Sequence, residues 1–389
     1  MTHTSVSQRG SRTRRASRVG LAAVLGTAAA IAVPGMASAT ASPSVTVVAG
    51  HLANPRGLSF VGGSETLLVA QAGFGSGSRT AGVQVGTGQT GQVTAILDAD
   101  GRHSRTATVA DHLWSQTTSS AQRGTETVGP AGINASNPDR ILVAMSENFV
   151  AGLGPQPQEG RLLGIDDGHV YSVADVATAD LKWESIPANK ALQPQFPDVN
   201  PYGVTVTRAH ETYVVDAAAN TVDRIGPRGA VKVIAFLPNT PKSDAVPTCL
   251  SQGPDGALYV GTLSIADGPG AAHVYRVDPR SHASVTTKAT VWASGLSTIN
   301  GCSFSRDGKY FYASEFIAME KMTGPVAGPP PAAVVRIPFN NPSSHTYMGL
   351  GALHFAGGVA VDDNGSVYVA NWSNQPAGPA MGQVVRLNR

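Results

Sequence analysis

The chain has 389 residues, with 28 basic and 26 acidic side chains, 44 glycines and 26 prolines. Five arginines and no acidic residue lie within residues 1–39, so residues 40–389 keep 23 basic against 26 acidic side chains, a net charge of −3. A mildly acidic body without basic runs gives no support for nucleic acids or anionic membranes as partners.

Residues 1–39 have the pattern of a secretory signal peptide. An arginine-rich segment precedes the apolar, alanine-rich run 19–33, and Ala37-Ser38-Ala39 is a small-x-small cleavage site. The run is short for a membrane span, and no second apolar stretch follows. The pair Arg14-Arg15 leaves general secretion and twin-arginine export both open. We therefore expect a secreted, extracytoplasmic bacterial protein with no integral membrane segment after signal removal.

From residue 40 onward, a short strand-rich unit returns six times. Its first strand is anchored at Gly57, Gly132, Gly203, Cys249, Cys302 and Gly358. Its second strand is predicted at Leu67–Ala70, Ile141–Ala144, Thr212–Val215, Leu258–Gly261, Tyr310–Ala313 and Val367–Ala370. Its third strand is predicted at Val93–Ile96, Leu162–Ile165, Val222–Ile225, Val274–Val277, Val334–Ile337 and Val384–Leu387. A β unit of this size cannot bury its own faces, so neighbouring copies must stack.

The last unit lacks a fourth strand, because only 31 residues follow Gly358. The segment Ser44–Ala49 resembles the strand that precedes another first strand, near Thr290–Ala293. A strand supplied from the opposite terminus would close the ring and remove its open edge. The sequence thus predicts an all-β fold, a six-bladed β-propeller closed by an N-terminal strand, with residues 40–389 as one domain.

Turns and inserts complete the predicted layout. Asp255-Gly256, Asp307-Gly308 and Asn364-Gly365 suit tight hairpins before second strands. A short helix is expected within residues 179–191. The longer inserts are expected either as mobile surface loops or as a rim or lid over one end of the central channel, and they are Gly73–Gly91, Ala151–Glu159, Lys182–Val199 and Met319–Pro331. Gly86–Gly91 matches the dinucleotide glycine pattern, but it precedes a strand, so we expect a flexible loop.

Cys249 and Cys302 are the only two cysteines, and they occupy matching positions in adjacent units of the predicted repeat. An exported chain with an even number of cysteines favours a disulfide between them. The alternative is a pair of small buried apolar side chains, which free cysteines resemble.

The mouth of the central channel, where residues before each first strand lie, is the best place to look for function. The candidate ligand-binding residues there are Asn54, Asn200, Tyr202 and Asn300. An alternative interpretation adds the carboxylates Glu126, Asp198 and Asp244 as oxygen ligands of Ca²⁺ or another divalent cation. Against it, Val246, Ile299 and Phe355 stand where other units have asparagine, and Asn-Pro is also a turn signal. Otherwise no cofactor is predicted, since the histidines lack zinc-site spacing and no nucleophile elbow occurs.

Several phrases resemble one family of exported propellers. These are Asn54-Pro55-Arg56-Gly57, Asn200-Pro201-Tyr202-Gly203, Pro247-Thr248-Cys249-Leu250 and Gly253–Gly261. They are similar to the ScyD/ScyE family, and the repeats are similar to those of NHL-type propellers. The resemblance implies a propeller and an extracytoplasmic address, and it carries no agreed catalytic residues.

The leading hypothesis is a secreted, monomeric propeller that binds an unidentified small molecule or cell-envelope partner at one face of its channel, without chemistry of its own. The alternative is a metal-assisted hydrolase or lactonase that uses a cation at the channel mouth. An enzyme would need at least three of the predicted oxygen ligands to converge on one point.

Overall fold

The computed structural model describes residues 45–75, 84–101, 103–120, 124–146, 156–193, 197–240, 242, 244–324, 328–375 and 380–388. The predicted signal peptide, residues 1–39, lies outside the described residues. Among the residues that the structure describes, no helix has the length and apolar character to cross a membrane.

Six antiparallel sheets form the six predicted blades. The N-terminal strand is β1, Val45–Leu52. Blade one contains β2 (Pro55–Phe60), β3 (Leu67–Gln71), β4 (Gln84–Leu97), β5 (Arg105–Ser120) and β6 (Gly124–Val128). Blade two contains β7 (Pro130–Asn137), β8 (Arg140–Met145), β9 (Arg161–Asp166) and β10 (His169–Asp175). Blade three contains β11 (Pro201–Val206), β12 (Thr212–Asp216), β13 (Thr221–Ile225) and β14 (Val231–Phe236).

The second half of the chain continues the same pattern. Blade four contains β15 (Pro247–Gln252), β16 (Leu258–Thr262), β17 (Ala272–Val277) and β18 (Ala289–Leu296). Blade five contains β19 (Ile299–Phe304), β20 (Tyr310–Glu315), β21 (Ala332–Pro338) and β22 (Thr346–Leu353). Blade six contains β23 (Val359–Val361), β24 (Val367–Asn371) and β25 (Gly382–Leu387). The prediction of a six-bladed propeller is confirmed.

Strand β1 completes blade six, as predicted. It runs antiparallel to β25, with Val45 opposite Leu387 and Thr46 opposite Arg386. Ala49 and Leu52 are buried on this strand and join an apolar cluster that spans blades six and one. The N-terminus therefore closes the ring both by backbone pairing and by side-chain packing.

Glycines let the innermost strands pack backbone to backbone around the channel. A Cβ added to Gly57 would lie 2.5 Å from the carbonyl oxygen of Ala131, and one added to Gly301 would lie 2.5 Å from that of Gly357. Strand register pairs Cys249 with Gly261 and Gly301 with Ser314. Gly301 therefore occupies the anchor position of blade five, and the anchor predicted at Cys302 is one residue too late.

The predicted disulfide is present. Cys249 on β15 and Cys302 on β19 are bonded, with their Cα atoms 5.7 Å apart. The bond joins the innermost strands of blades four and five, although the two cysteines differ by one position in the repeat. The alternative of two free, buried thiols is wrong.

The prediction for the glycine-rich segment in the first insert is wrong. Gly86–Gly91 is not a loop, because it lies within β4 and pairs with β5, Gly86 opposite Thr117 and Gly88 opposite Ser115. The long hairpin then adds β6, so blade one has five strands.

The helix expected within residues 179–191 is two helices. Helix α1 is Val176–Glu184 and α2 is Pro187–Lys190. Helix α1 begins after Asp175, whose Oδ1 accepts a hydrogen bond from the backbone N–H of Thr178 at 3.1 Å.

Candidate binding site at the channel mouth

One backbone hydrogen bond recurs in all six blades and sets the alignment of the repeat. In each blade, a residue shortly after the second strand donates its backbone N–H to the backbone carbonyl of a residue shortly before the first strand. We call this accepting residue the entry residue. The six accepting residues are Asn54, Gly129, Asn200, Val246, Thr298 and Phe355. Thr298, and not Ile299, therefore matches the asparagine position in blade five. Asn300 then matches Arg56, Tyr202 and Thr248, two positions further along.

Three of these matched side chains form a hydrogen-bonded bridge across the channel. The Oη of Tyr202 accepts from Nη1 of Arg56 at 3.0 Å and donates to Oδ1 of Asn300 at 3.0 Å. Arg56 also donates from Nη2 to the carbonyl of Thr127 at 2.6 Å, and Nδ2 of Asn300 donates to the carbonyl of Ala356 at 3.2 Å. The Arg56–Tyr202–Asn300 bridge thus links blades one, three and five.

The bridge borders two cavities. The mouth cavity has a volume of about 40 Å³, and Glu126, Asn200 and Val246 line it together with the bridge. The channel cavity has a volume of about 70 Å³ and is lined by the bridge and by the innermost strands, including Gly132 and Gly203. Arg56 is only 7% exposed, so its guanidinium is a buried positive group at the junction of both cavities.

The predicted ligand-binding asparagines have different environments. Asn54 is fully buried, and its amide donates to the carbonyl of Gly73 at 2.8 Å and accepts from the N–H of Gln375 at 2.7 Å. Through these two hydrogen bonds, the Asn54 side chain connects the loops that contain Gly73 and Gln375. Asn200 lines the mouth cavity, and its Oδ1 is buried without a hydrogen-bond partner among the described residues. Asn300 and Tyr202 belong to the bridge.

The carboxylates of the alternative interpretation are divided between two places. Glu126 lines the mouth cavity, whereas Asp198 and Asp244 lie close enough to Glu184 to raise its pKa. Burial is the largest cause of that increase, followed by the charge of Asp216, and the pKa of Glu184 reaches about 8. In the described part of the chain, no three His, Cys, Asp or Glu side chains are arranged to hold a metal ion.

Three predicted oxygen ligands, Glu126, Asn200 and Asn300, do share the mouth cavity. Their oxygen atoms are of the kind that Ca²⁺ prefers. However, Arg56 lines the same small cavity, and a guanidinium repels a divalent cation. Oδ1 of Asn300 already accepts from Tyr202. The donor set fits a cation only in part.

Sequence reasoning missed Arg56 as a site residue. The signal was available, because Arg56, Tyr202, Thr248 and Asn300 follow the recurring entry residue at the same distance. It was hidden by the one-residue error in the alignment of blade five.

Sequence reasoning also missed two groups of buried acids. In blade three, Thr221 Oγ1 lies 2.9 Å from Oδ2 of Asp223 and 3.3 Å from Oδ2 of Asp180, a residue of α1. Burial, reinforced by the charge of Asp216, raises the pKa of Asp223 to about 8. In blade five, burial and the neighbouring Glu320 raise the pKa of Glu315 to about 9.

The last residue of the second strand explains why such acids recur. In four blades its side-chain oxygen accepts a backbone N–H from the loop that enters the first strand, at 2.7 to 2.9 Å. These residues are Gln71, Asp216, Glu315 and Asn371. Asp216 and Glu315 therefore fasten the loops that shape the channel mouth.

The fold and the channel mouth define a six-bladed propeller with two small cavities at its centre. The chain belongs to the SMP-30/Gluconolactonase/LRE-like family, whose model matches residues 159–388, more than half of the sequence. No curated protein matches the chain significantly.

Solved structures agree on the fold. The luciferin-regenerating enzyme is 12% identical, with a TM-score of 0.52, and the match covers 90% of this chain and 96% of that one. The PQQ-bound aldose sugar dehydrogenase from Streptomyces coelicolor is 13% identical, with a TM-score of 0.50, and the match covers 89% and 98%. At these identities the likeness concerns the propeller fold alone.

Proposed function

We propose that the protein is an extracytoplasmic binding propeller that holds a small anionic group, such as a carboxylate, at its channel mouth. The observation that carries the proposal is the buried guanidinium of Arg56 at the junction of the two cavities. Arginine matches a carboxylate with two parallel charge-assisted hydrogen bonds.

The geometry limits the size of what enters. One water molecule needs about 10–15 Å³ of such cavity space, so a cavity of about 40 Å³ admits only a few heavy atoms. The anionic group of the ligand would enter the cavity and meet the guanidinium of Arg56, and the remainder would lie on the rim. Binding of this kind requires no catalytic group.

The address of the protein is part of the proposal. The pattern of residues 1–39 and the Cys249–Cys302 disulfide both agree with an oxidising compartment outside the cytoplasm. The resemblance to the ScyD/ScyE family, the monomeric state and the cell-envelope partner stay predictions.

A metal-assisted lactonase is the second candidate function. Its support is the partnerless Oδ1 of Asn200, a residue that lines the same cavity as Glu126 and Asn300, together with the gluconolactonase-like family. Arg56 favours an anion in this cavity and Glu126 favours a cation, so the two candidate functions differ in which of these charged residues the ligand meets.

The deciding experiment is thermal unfolding with two separate titrations, one with a panel of small carboxylates that includes gluconate and one with CaCl₂. We expect a carboxylate to raise Tm in the native protein and not in Arg56→Gln, whereas Arg336→Gln, on an outer part of blade five, behaves as the native protein does. A flat response to every carboxylate would overturn the proposal. A rise with CaCl₂ that Glu126→Gln abolishes would establish the cation site instead.

A further inference from the structure

A further cavity lies away from the channel, between blades two and three. It has a volume of about 650 Å³, and we call it the blade 2–3 groove. Its lining includes Arg140, Tyr171, His210, Glu211, Arg224 and Arg228. Its volume is within the range of clefts that hold small-molecule ligands, roughly 300–1,000 Å³.

Close backbone packing fixes the walls of the groove. The turn Pro227–Gly229 rests on β10, so closely that a Cβ on Gly229 would clash with the carbonyl oxygen of Val173. Tyr171 lies directly over Gly164, where an added Cβ would be 2.6 Å from ring atom Cε2. The Tyr171 ring is therefore held against the backbone of β9, and the residue is still 39% exposed.

The groove is strongly positive. Three arginines line it, with Glu211 as the one lining carboxylate. Glu211 pairs with Arg224 at 2.9 Å and also accepts from the hydroxyl of Tyr213 at 2.9 Å. Among the described residues, no carboxylate lies within ion-pair distance of Arg140 or Arg228.

A further cation lies next to the groove. Lys232 is directly opposite Arg224 on the neighbouring strand. Like charges in that arrangement destabilise a sheet. Residues 40–389 are acidic as a whole, at −3, so the positive groove is a local feature and not part of general basicity.

We infer that the blade 2–3 groove is a second binding site, which takes a short acidic oligosaccharide. A fixed, half-exposed aromatic ring offers a flat apolar surface of the kind on which a sugar ring packs. Arginines beside it offer planar forks for carboxylate or sulfate groups on that sugar. The site is separate from the channel mouth and does not depend on the function proposed for it.

Isothermal titration calorimetry on the full folded protein tests the inference. The probes are trigalacturonic acid, which carries carboxylates, and a heparin tetrasaccharide, which carries sulfates, with maltotriose as the neutral control. We expect one or both acidic probes to bind, more weakly at high salt, and maltotriose not to bind. The comparison of the two acidic probes identifies the preferred anionic group.

Variants separate this groove from general electrostatics. Arg140→Gln combined with Arg228→Asn should weaken acidic probes at least tenfold, and Tyr171→Ala should do the same by removing the ring. Arg228 has φ 58°, a conformation that asparagine tolerates, so the change should leave the turn intact. Arg306→Gln, in an exposed turn of blade five, should stay within twofold. No binding of either acidic probe, or undiminished binding by the double variant, would overturn the inference.

Discussion

Buried carboxylic acids are the residues through which pH acts on this protein. Glu315 is fully buried, and its Oε1 accepts the backbone N–H of Ser297 at 2.9 Å. Burial and Glu320 raise its pKa to about 9, against about 4.3 for glutamate in an unfolded chain. Between about pH 4 and about pH 9, the folded state therefore binds one proton more than the unfolded state does. The contribution to stability is complete below about pH 4 and is lost as pH rises through about 9.

Glu315→Gln should flatten this pH dependence. The amide of glutamine imitates the protonated acid, because it accepts from Ser297 and donates towards Glu320. We expect Tm to exceed that of the native protein at pH 8 by at least roughly 2–4 °C, the shift that about 1 kcal/mol produces in a chain of this size. At pH 4.5 the two proteins should unfold at nearly the same temperature.

Calorimetric unfolding from pH 4.5 to 9 checks the prediction. Asp139→Asn, on an exposed turn of blade two, is the control and should follow the native profile. Parallel pH profiles for Glu315→Gln and the native protein would show that the acid is not protonated in the folded state.

At the scale of the element, the innermost strands pack closely because glycines on them carry no side chain. Gly132 on β7 faces β11 so closely that a Cβ would lie 2.9 Å from the backbone nitrogen of Val204 and closer still to the carbonyl oxygen of Tyr202. Backbone cannot move aside as a flexible side chain does. A single methyl group would therefore separate blades two and three at the channel and displace Tyr202 from the bridge.

Gly132→Ala should destabilise the protein by roughly 1–3 kcal/mol, the usual range for overpacking. Gly50→Ala is the matched control, because Gly50 is also on a strand but has nothing within 4 Å of its added Cβ. It should change stability by less than about 0.5 kcal/mol. Urea unfolding measures both, and equal stability of the two variants would contradict the close approach of these strands.

At the scale of the whole molecule, ring closure depends on eight residues at the far end of the sequence. Strand β1 covers the edge of β25, and Leu52 is 4% exposed within the cluster shared with blade one. Without β1, the backbone groups of β25 would form an open edge that invites pairing with another chain.

A chain shortened to begin at Ala53 should therefore associate and unfold at a lower temperature than a chain that begins at Thr40. Size-exclusion chromatography with light scattering measures the first effect, and calorimetry measures the second. The longer chain is the control and should elute as the native mature protein does. A shortened chain that stays unassociated with an unchanged Tm would show that β1 is dispensable for closure.

The architecture could be predicted from the sequence because its signals are local and repeated. Alternation along each strand, turn residues such as Asp255-Gly256 and six similar units are all visible without coordinates. The closing strand followed from the length that remained after Gly358, and the disulfide followed from the two cysteines. Each of these inferences needs only approximate alignment, and a one-residue error at Cys302 did not disturb them.

The composition of the channel mouth required the tertiary structure. Arg56 and Tyr202 are 146 residues apart, and Tyr202 and Asn300 are 98 apart. Whether they meet depends on the depth of each side chain in the channel, and a shift of one residue turns a strand side chain to the opposite face. The one-residue alignment error, which placed Ile299 and not Thr298 at the asparagine position, was therefore enough to hide the bridge. The sequence by itself determined the repeat and its closure, whereas only the closed ring decided which polar side chains face one another.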